Sequence, residues 1–307
     1  SHELFAAAKV EWPDRAEATK STAPASLTFD QVNKTFFMSK KDRGNGLGIT
    51  AAEEMSFSVR RGEIVALIGE SGSGKTTAAK MVMGLERPDT GNIIVHPSKG
   101  HSSQKLRVQM IFQHPRDSLD PLMKIADQLH EVLKVHGWRD HDERTQKILK
   151  TISDVGLGED VLQRRPTYLS GGEAQRAVIA RALLLNPDIL IADEPLSAVD
   201  VRIQKVILAC LRDLRDNLGI SILLITHDLR VVFEIADQVV VLRSGRVVEN
   251  LPVHQFTDGK RDPYTQMLID AVPGKGVADP NAGRSARDKT LADIAIKNGV
   301  STDNEHF

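Results

Sequence analysis

Cysteine is all but missing from this chain: a single residue, Cys210, stands among 307. It cannot close an internal disulfide, nor by itself supply a thiolate zinc site or an iron–sulfur cluster, and this fits a reducing compartment. Net charge is lacking too. The 40 Lys and Arg stand against 41 Asp and Glu, a formal charge of −1, where a protein built to hold nucleic acid is usually strongly basic. Long apolar runs are also absent. Ile64–Ile68 and Ile222–Ile225 are strand-sized, far below the ~20 residues that cross a bilayer. Ser1-His2-Glu3-Leu4-Phe5 offers no basic segment ahead of an apolar one, so no secretory signal is expected. The missing initiator Met marks a chain that is processed or cut from something longer. What is present is the mix of a globular protein, 41% hydrophobic and 26% charged, with length for one large or two modest domains.

Residues 1–25 read as a polar, Ala-rich leader or linker ending in Ser21-Thr22-Ala23-Pro24. Short β-like runs follow at Leu27–Val32, Met55–Val59 and Glu63–Ile68. A glycine-rich turn then opens a helical stretch, Lys75–Met83, expected to bury Ala78, Ala79, Val82 and Met83. From about 115 to 186 the pattern turns helical, at Ile125–His136, at Glu143–Val155 with Ile148, Ile152 and Val155 on one face, and at Glu173–Leu185. Strand and helix then alternate again: Ile189–Ala192, Val201–Leu218, Ser221–Thr226, Leu229–Ala236 and Gln238–Leu242. Such alternation implies an α/β domain on a mainly parallel sheet, with the middle section as a helical insertion. The tail beyond Pro273 carries one helix candidate, Ala286–Lys297.

Gly69-Glu70-Ser71-Gly72-Ser73-Gly74-Lys75-Thr76 fits G-x-x-x-x-G-K-[ST] and falls between a strand and a helix. Glycines there let the backbone curl until several N–H groups point at one phosphate, and the helix N-terminus adds its dipole. Lys75 can reach the β- and γ-phosphates, and the Thr76 hydroxyl can ligate Mg²⁺. A second acidic element, Ile189-Leu190-Ile191-Ala192-Asp193-Glu194, brings two carboxylates to the end of an apolar strand, where an α/β sheet presents groups to ligand. Alone, such a strand end is an ordinary exit into a loop. Beside the glycine loop, Asp193 is expected to hold Mg²⁺ and Glu194 to orient and activate the attacking water.

Leu169-Ser170-Gly171-Gly172-Glu173-Ala174-Gln175-Arg176 resembles the signature motif of ABC ATPases, and the family's other landmarks stand in order. Gln113 resembles the Q-loop glutamine, Ser197-Ala198-Val199-Asp200 the D-loop, and His227 the switch histidine. The resemblance covers about residues 26–272 and implies a P-loop NTPase (RecA-like) core of ABC type. It carries a helical subdomain at about 115–186 and an N-terminal antiparallel β part; residues 273–307 are left as a C-terminal extension. It also implies ATP and Mg²⁺, with Ser71, Gly72, Ser73, Gly74 and Thr77 sharing the phosphate loop with Gly69, Lys75 and Thr76. Gln113 would sense Mg²⁺ and water, and His227 would contact the γ-phosphate and orient water. Phe36, ahead of its neighbour Phe37, would stack on adenine. Ser170, Gly171 and Gly172 would meet the γ-phosphate held by a partner chain, so that a working site needs a dimer, and Asp200 of the D-loop would share in binding ATP. Glu173 departs from the family's commoner glutamine, and Val199 from a frequent leucine; neither removes a reacting group.

Two further stretches, Phe112–Pro121 and Asp262-Pro263-Tyr264-Thr265-Gln266-Met267-Leu268, resemble the oligopeptide, dipeptide and nickel importer ATPases. Some members of that group carry an iron–sulfur site in their C-terminal extension, which a chain whose one cysteine is Cys210 cannot. The resemblance implies an ATPase subunit at the cytoplasmic face of the inner membrane. It would pair with a second such subunit and drive two membrane permeases, served indirectly by an extracytoplasmic binding protein and with no nucleic acid involved. The alternative class is a soluble ABC ATPase acting on ribosomes or nucleic acid. Those usually show tandem cassettes, a long coiled-coil insertion or zinc-ligand cysteines, and this sequence shows none of them.

Overall fold

The computed structural model describes residues 23–37, 48–96, 108–113, 115–196, 201–256 and 261–272. Trp12–Ile269 form one compact unit; the other, Ser1–Glu11 with Asp270–Phe307, has described residues only at 270–272. Most of the expected leader, the extension beyond 272 and the helix candidate at 286–297 lie outside the described residues.

The N-terminal part is an antiparallel sheet in the order β2-β1-β4, from β1 (Ala25–Phe36), β2 (Ile49–Arg60) and β4 (Thr90–Val95). Alternation along β1 and β2 turns Leu27, Phe29, Met55, Phe57 and Val59 inward, with the Phe29 and Phe57 rings stacked at 4.3 Å. The main sheet runs β5-β6-β7-β3-β8-β9. Its strands are β3 (Ile64–Ile68), β5 (Val108–Ile111), β6 (Ile189–Asp193), β7 (Ser221–Ile225), β8 (Gln238–Arg243) and β9 (Arg246–Pro252). β3, β5, β6, β7 and β8 are parallel, and β9 returns antiparallel at the edge. β3 and β7 are buried at every position, which is why their sequences are unbroken apolar runs; Val65, Leu67, Leu223 and Ile225 share a core with Leu27, Phe29, Met55 and Phe57 of the antiparallel sheet and with Ala78 and Ala79 of the helix after the glycine loop.

Helix α1 (Lys75–Val82) leaves the glycine loop. Met81 is buried in it, whereas Met83, expected in the core, is the C-cap and only half-buried, because the helix ends one residue before it. The helical insertion leaves the sheet after β5 and returns at β6. It comprises α2 (Ile125–Val135), α3 (His141–Asp154) and α4 (Gly171–Leu183). Asp140 caps α3 by accepting the Glu143 N–H at 2.9 Å, and Ile148, Ile152 and Val155 are buried together as the 3.6-residue period requires. α5 (Val201–Leu218), α6 (Leu229–Ile235) and α7 (Pro263–Asp270) complete the helices among the described residues. None of these is long and apolar enough to cross a membrane.

Candidate active site

Parallel strands end on the same edge of a sheet, and that geometry assembles the site. β3 ends at Ile68 and runs into Gly69; β5 ends at Ile111, two residues before Gln113; β6 ends at Asp193; β7 ends at Ile225, two residues before His227. Pairing in register, Ile111 with Ala192, Asp193 with Ile225 and Leu67 with Ile225, levels the four ends. A cleft of about 580 Å³ opens on this edge. Gln113, Asp193, Glu194 and His227 line it, together with Gly69, Ser71, Gly72, Gly74, Lys75, Thr76 and Thr77 of the loop and helix start.

The loop's glycines are required by its shape. Gly69 and Gly74 have φ of +149° and +108°, values that side-chain-bearing residues rarely adopt. A Cβ on Gly69 would lie 2.1 Å from the Leu242 carbonyl oxygen, and one on Gly74 would lie 2.2 Å from that of Ala51. The buried Lys75 Nζ donates to Gly69 O at 2.7 Å, to Glu70 O at 2.8 Å and to Ser73 Oγ at 3.4 Å. Ser73 is itself buried beneath the loop, outside the lining of the cleft. Burial pushes the Lys75 ammonium below its ordinary range, opposed by the negative charges of Glu194, Asp193 and Glu70.

Asp193 is pushed the other way. Burial, then the Glu194 carboxylate, raises it above the usual carboxylate range, and Lys75 and Lys80 offset only part of that. Among the acidic and lysine side chains lining the cleft, three carboxylates, Glu70, Asp193 and Glu194, stand against one ammonium, Lys75. Glu194 leaves the strand in left-handed backbone, φ +47°, a conformation that costs a non-glycine residue about 1 kcal/mol or more. Its N–H donates to Ile225 O at 2.9 Å, and its Oε1 accepts from His227 Nδ1 at 2.8 Å. The imidazole, with 70% of its side chain exposed, lies at the mouth of the cleft, whereas Glu194, at 21%, lies deeper.

Antiparallel pairing of Phe36 with Ile49 places an apolar wall beside the loop: Phe36, Ile49 and Ala51 line the cleft, and Phe37 does not. Ile49 and Ala51 carry no chemical signature that sequence reading could catch. Ser170, Gly171 and Gly172 stand apart, at the N-terminus of α4 and outside the cleft lining. Asp200, with the rest of the D-loop, lies outside the described residues. Tyr264, from the stretch Asp262–Leu268, reaches the loop unforeseen, its hydroxyl accepting the Glu70 N–H at 2.9 Å.

This strand–loop–helix cradle, with carboxylates at the end of β6, one strand away across β7, defines a P-loop nucleotide-hydrolysing cassette. A family profile described as "ABC transporter" matches residues 52–197, and the chain belongs to that family as an ATP-binding protein that hydrolyses ATP. Among relatives, a peptide import ATP-binding protein of Brucella ovis is 41% identical over 249 residues, covering 79% of this chain and 77% of the relative. The dipeptide transport ATP-binding protein DppF of Haemophilus influenzae is 38% identical over 232 residues, covering 73% and 71%. Among solved structures, the dimeric ATP-binding cassette MJ0796 bound to ADP and Pi superposes with a TM-score of 0.61 at 27% identity, covering 74% of this chain and 98% of that one.

Proposed function

We propose that this chain powers the import of peptides, as one of a pair of ATPase subunits that close on ATP and reopen after hydrolysis. The supporting observation is the common edge of β3, β5, β6 and β7, which brings the glycine loop, Gln113, Asp193, Glu194 and His227 into one cleft. The peptide class comes from the relatives' names and from the Asp262–Leu268 stretch.

The loop N–H groups and the Lys75 ammonium hold the β- and γ-phosphates, and Phe36 packs against adenine. Lys75 trades the Glu70 carbonyl and the long Ser73 contact for phosphate oxygens and keeps the Gly69 carbonyl, so its charge is never left unpaired. Among the described residues, no cluster of three or more His, Cys, Asp or Glu forms a metal site on protein groups alone. The Thr76 hydroxyl, the Gln113 amide and the Asp193 carboxylate are hard oxygen donors, the set that suits Mg²⁺ once phosphate oxygens complete the shell. When bound there, Mg²⁺ supplies charge neutralisation between the β- and γ-phosphates. Glu194 Oε orients the attacking water and takes its proton. The His227 Nδ1–H, donating to the other side of that carboxylate, keeps it aimed.

Ser170 and the Gly171 and Gly172 amides form a second anion-type helix start outside their own chain's cleft. They serve the γ-phosphate in the partner subunit, with the Asp200 loop at the same interface. Two membrane permease subunits receive the motion at the cytoplasmic face of the inner membrane, and an extracytoplasmic binding protein delivers the peptide to them. The test is Glu194→Gln, whose amide keeps the shape and cannot act as a base. ATP affinity should stay within about twofold while turnover falls on the order of 10²-fold or more. Hydrolysis at the wild-type rate would remove Glu194 from this role.

A further inference from the structure

Besides its internal bonds, the glycine loop is held from three places elsewhere in the chain. The Ala51 carbonyl fills the space where Gly74 lacks a Cβ. The turn between β8 and β9 donates Gly245 N–H to Ser73 O at 2.9 Å. The third hold comes from α7, where Tyr264 Oη accepts the Glu70 N–H at 2.9 Å.

This last bond falls on a particular peptide unit. Glu70 N–H and Gly69 C=O belong to the same planar group, and the Gly69 oxygen is the one that accepts Lys75 Nζ at 2.7 Å. The first peptide of the loop is thus gripped at both ends, by a phenol outside and an ammonium inside. A rotation that broke one bond would break the other. Such chained bonds polarise and reinforce each other. The phenol is placed to act as a fixed post: Tyr264 is 4% exposed, and its ring is covered by the Arg243 guanidinium at 5.0 Å. Its own N–H is tied to Asp262 Oδ1 at 2.8 Å, while the Asp262 N–H donates to Glu249 Oε1 on β9 at 2.9 Å. Tyr264 does not line the cleft.

We infer that Tyr264 is a positioning residue for ATP binding: its hydroxyl fixes the Gly69–Glu70 peptide and thereby keeps the loop and Lys75 in the arrangement that receives the triphosphate. The inference rests on the reading of residues 69–76 as the phosphate site. Without the hydroxyl the peptide is free to turn, and the competent loop becomes a fraction of the population, which lowers apparent affinity by that fraction.

The experiment uses the full chain with Mg²⁺, measuring ATP affinity by calorimetry and steady-state hydrolysis for wild type, Tyr264→Phe and Lys75→Ala. Tyr264→Phe removes one oxygen and keeps the ring. We expect Kd and KM for ATP to rise about 3- to 10-fold. The kcat at saturation should stay within about twofold, and so should the thermal midpoint of the nucleotide-free chain stay near wild type. Affinity equal to or tighter than wild type overturns the inference, as does a loss of kcat and midpoint with KM unchanged, the pattern of plain packing damage. Lys75→Ala separates the two layers: wild-type ATP affinity in that variant overturns the phosphate-site reading and the inference with it. Hydrogen exchange at the Glu70 amide in wild-type protein gives a reading that needs no variant. Protection supports the bond; exchange at the rate of free peptide overturns it.

Discussion

Asp193 carries its charge against its surroundings. Because folding raises its pKa through burial and the nearby Glu194 carboxylate, ionisation costs the folded chain stability. The sign follows from linkage: the folded state binds this proton more tightly, so the cost is absent below the ordinary carboxylate range and complete above the raised folded value. At neutral pH Asp193→Asn should therefore raise the thermal midpoint of the nucleotide-free protein while abolishing Mg²⁺-dependent hydrolysis. Calorimetry and phosphate release check the two halves, and a lowered midpoint would contradict the charge argument. Asp193 and Glu194 were legible from an apolar strand read together with the glycine loop, and His227 from its resemblance to the switch histidine; all three line the cleft. Phe36 against Phe37 was not settled by register. β1 carries irregularities between Phe29 and Thr35, with Gln31 and Glu54 in left-handed backbone, and each extra residue inverts the in–out alternation.

At the scale of single elements, α4 shows how Glu173 serves where the family more often has glutamine. Ser170 Oγ accepts the Glu173 N–H at 3.2 Å, and Glu173 Oε2 accepts the Ser170 N–H at 2.8 Å. The helix begins in a reciprocal capping box. Arg164 adds an ion pair to Glu173 Oε1 at 3.3 Å. The Ser170 N–H bond holds the Glu173 carboxyl below its usual range. That contribution is present above the ordinary carboxylate pKa and is lost as pH falls through the depressed one. Ser170→Ala should cost about 1 kcal/mol of stability, read by denaturant unfolding. Glu173→Gln should lie near wild type at neutral pH yet lose less stability across roughly pH 5 to 3. An identical acid limb would show the box to be inert. The S-x-x-E spacing is a cap signal that the expected helix start at Glu173 passed over. The reach of Tyr264 to the glycine loop was hidden, because 194 residues of chain separate it from Glu70 and a Pro-led helix looks alike wherever it docks.

For the whole molecule, the parallel core was legible from strand–helix alternation, and the antiparallel β9 was not, since its exposed face interrupts any apolar run. The proposed second anion site at Ser170–Gly172, outside its own chain's cleft, predicts complementation between damaged chains. Ser170→Arg should bind ATP near-normally and lose dimer-dependent hydrolysis; Lys75→Ala should lose ATP binding. Mixed, they rebuild one composite site, Lys75 from one chain and Ser170 from the other, and partial activity should return. Full activity of Ser170→Arg alone, independent of concentration, would rule out the shared site.

The helical insertion is spliced between β5 and β6, strands that lie side by side in the sheet. Its two attachments are mechanically unequal. At one end it joins the chain just past Gln113, at the reacting edge; at the other it enters β6 at Ile189, so the buried strand separates it from Glu194. A tilt of this lever therefore drags Gln113 directly while Glu194 and His227 stay anchored to the sheet. Under the proposed roles, the insertion can withdraw Gln113 from the cleft without disturbing Glu194 and His227, a clutch whose slipping leaves the motor intact.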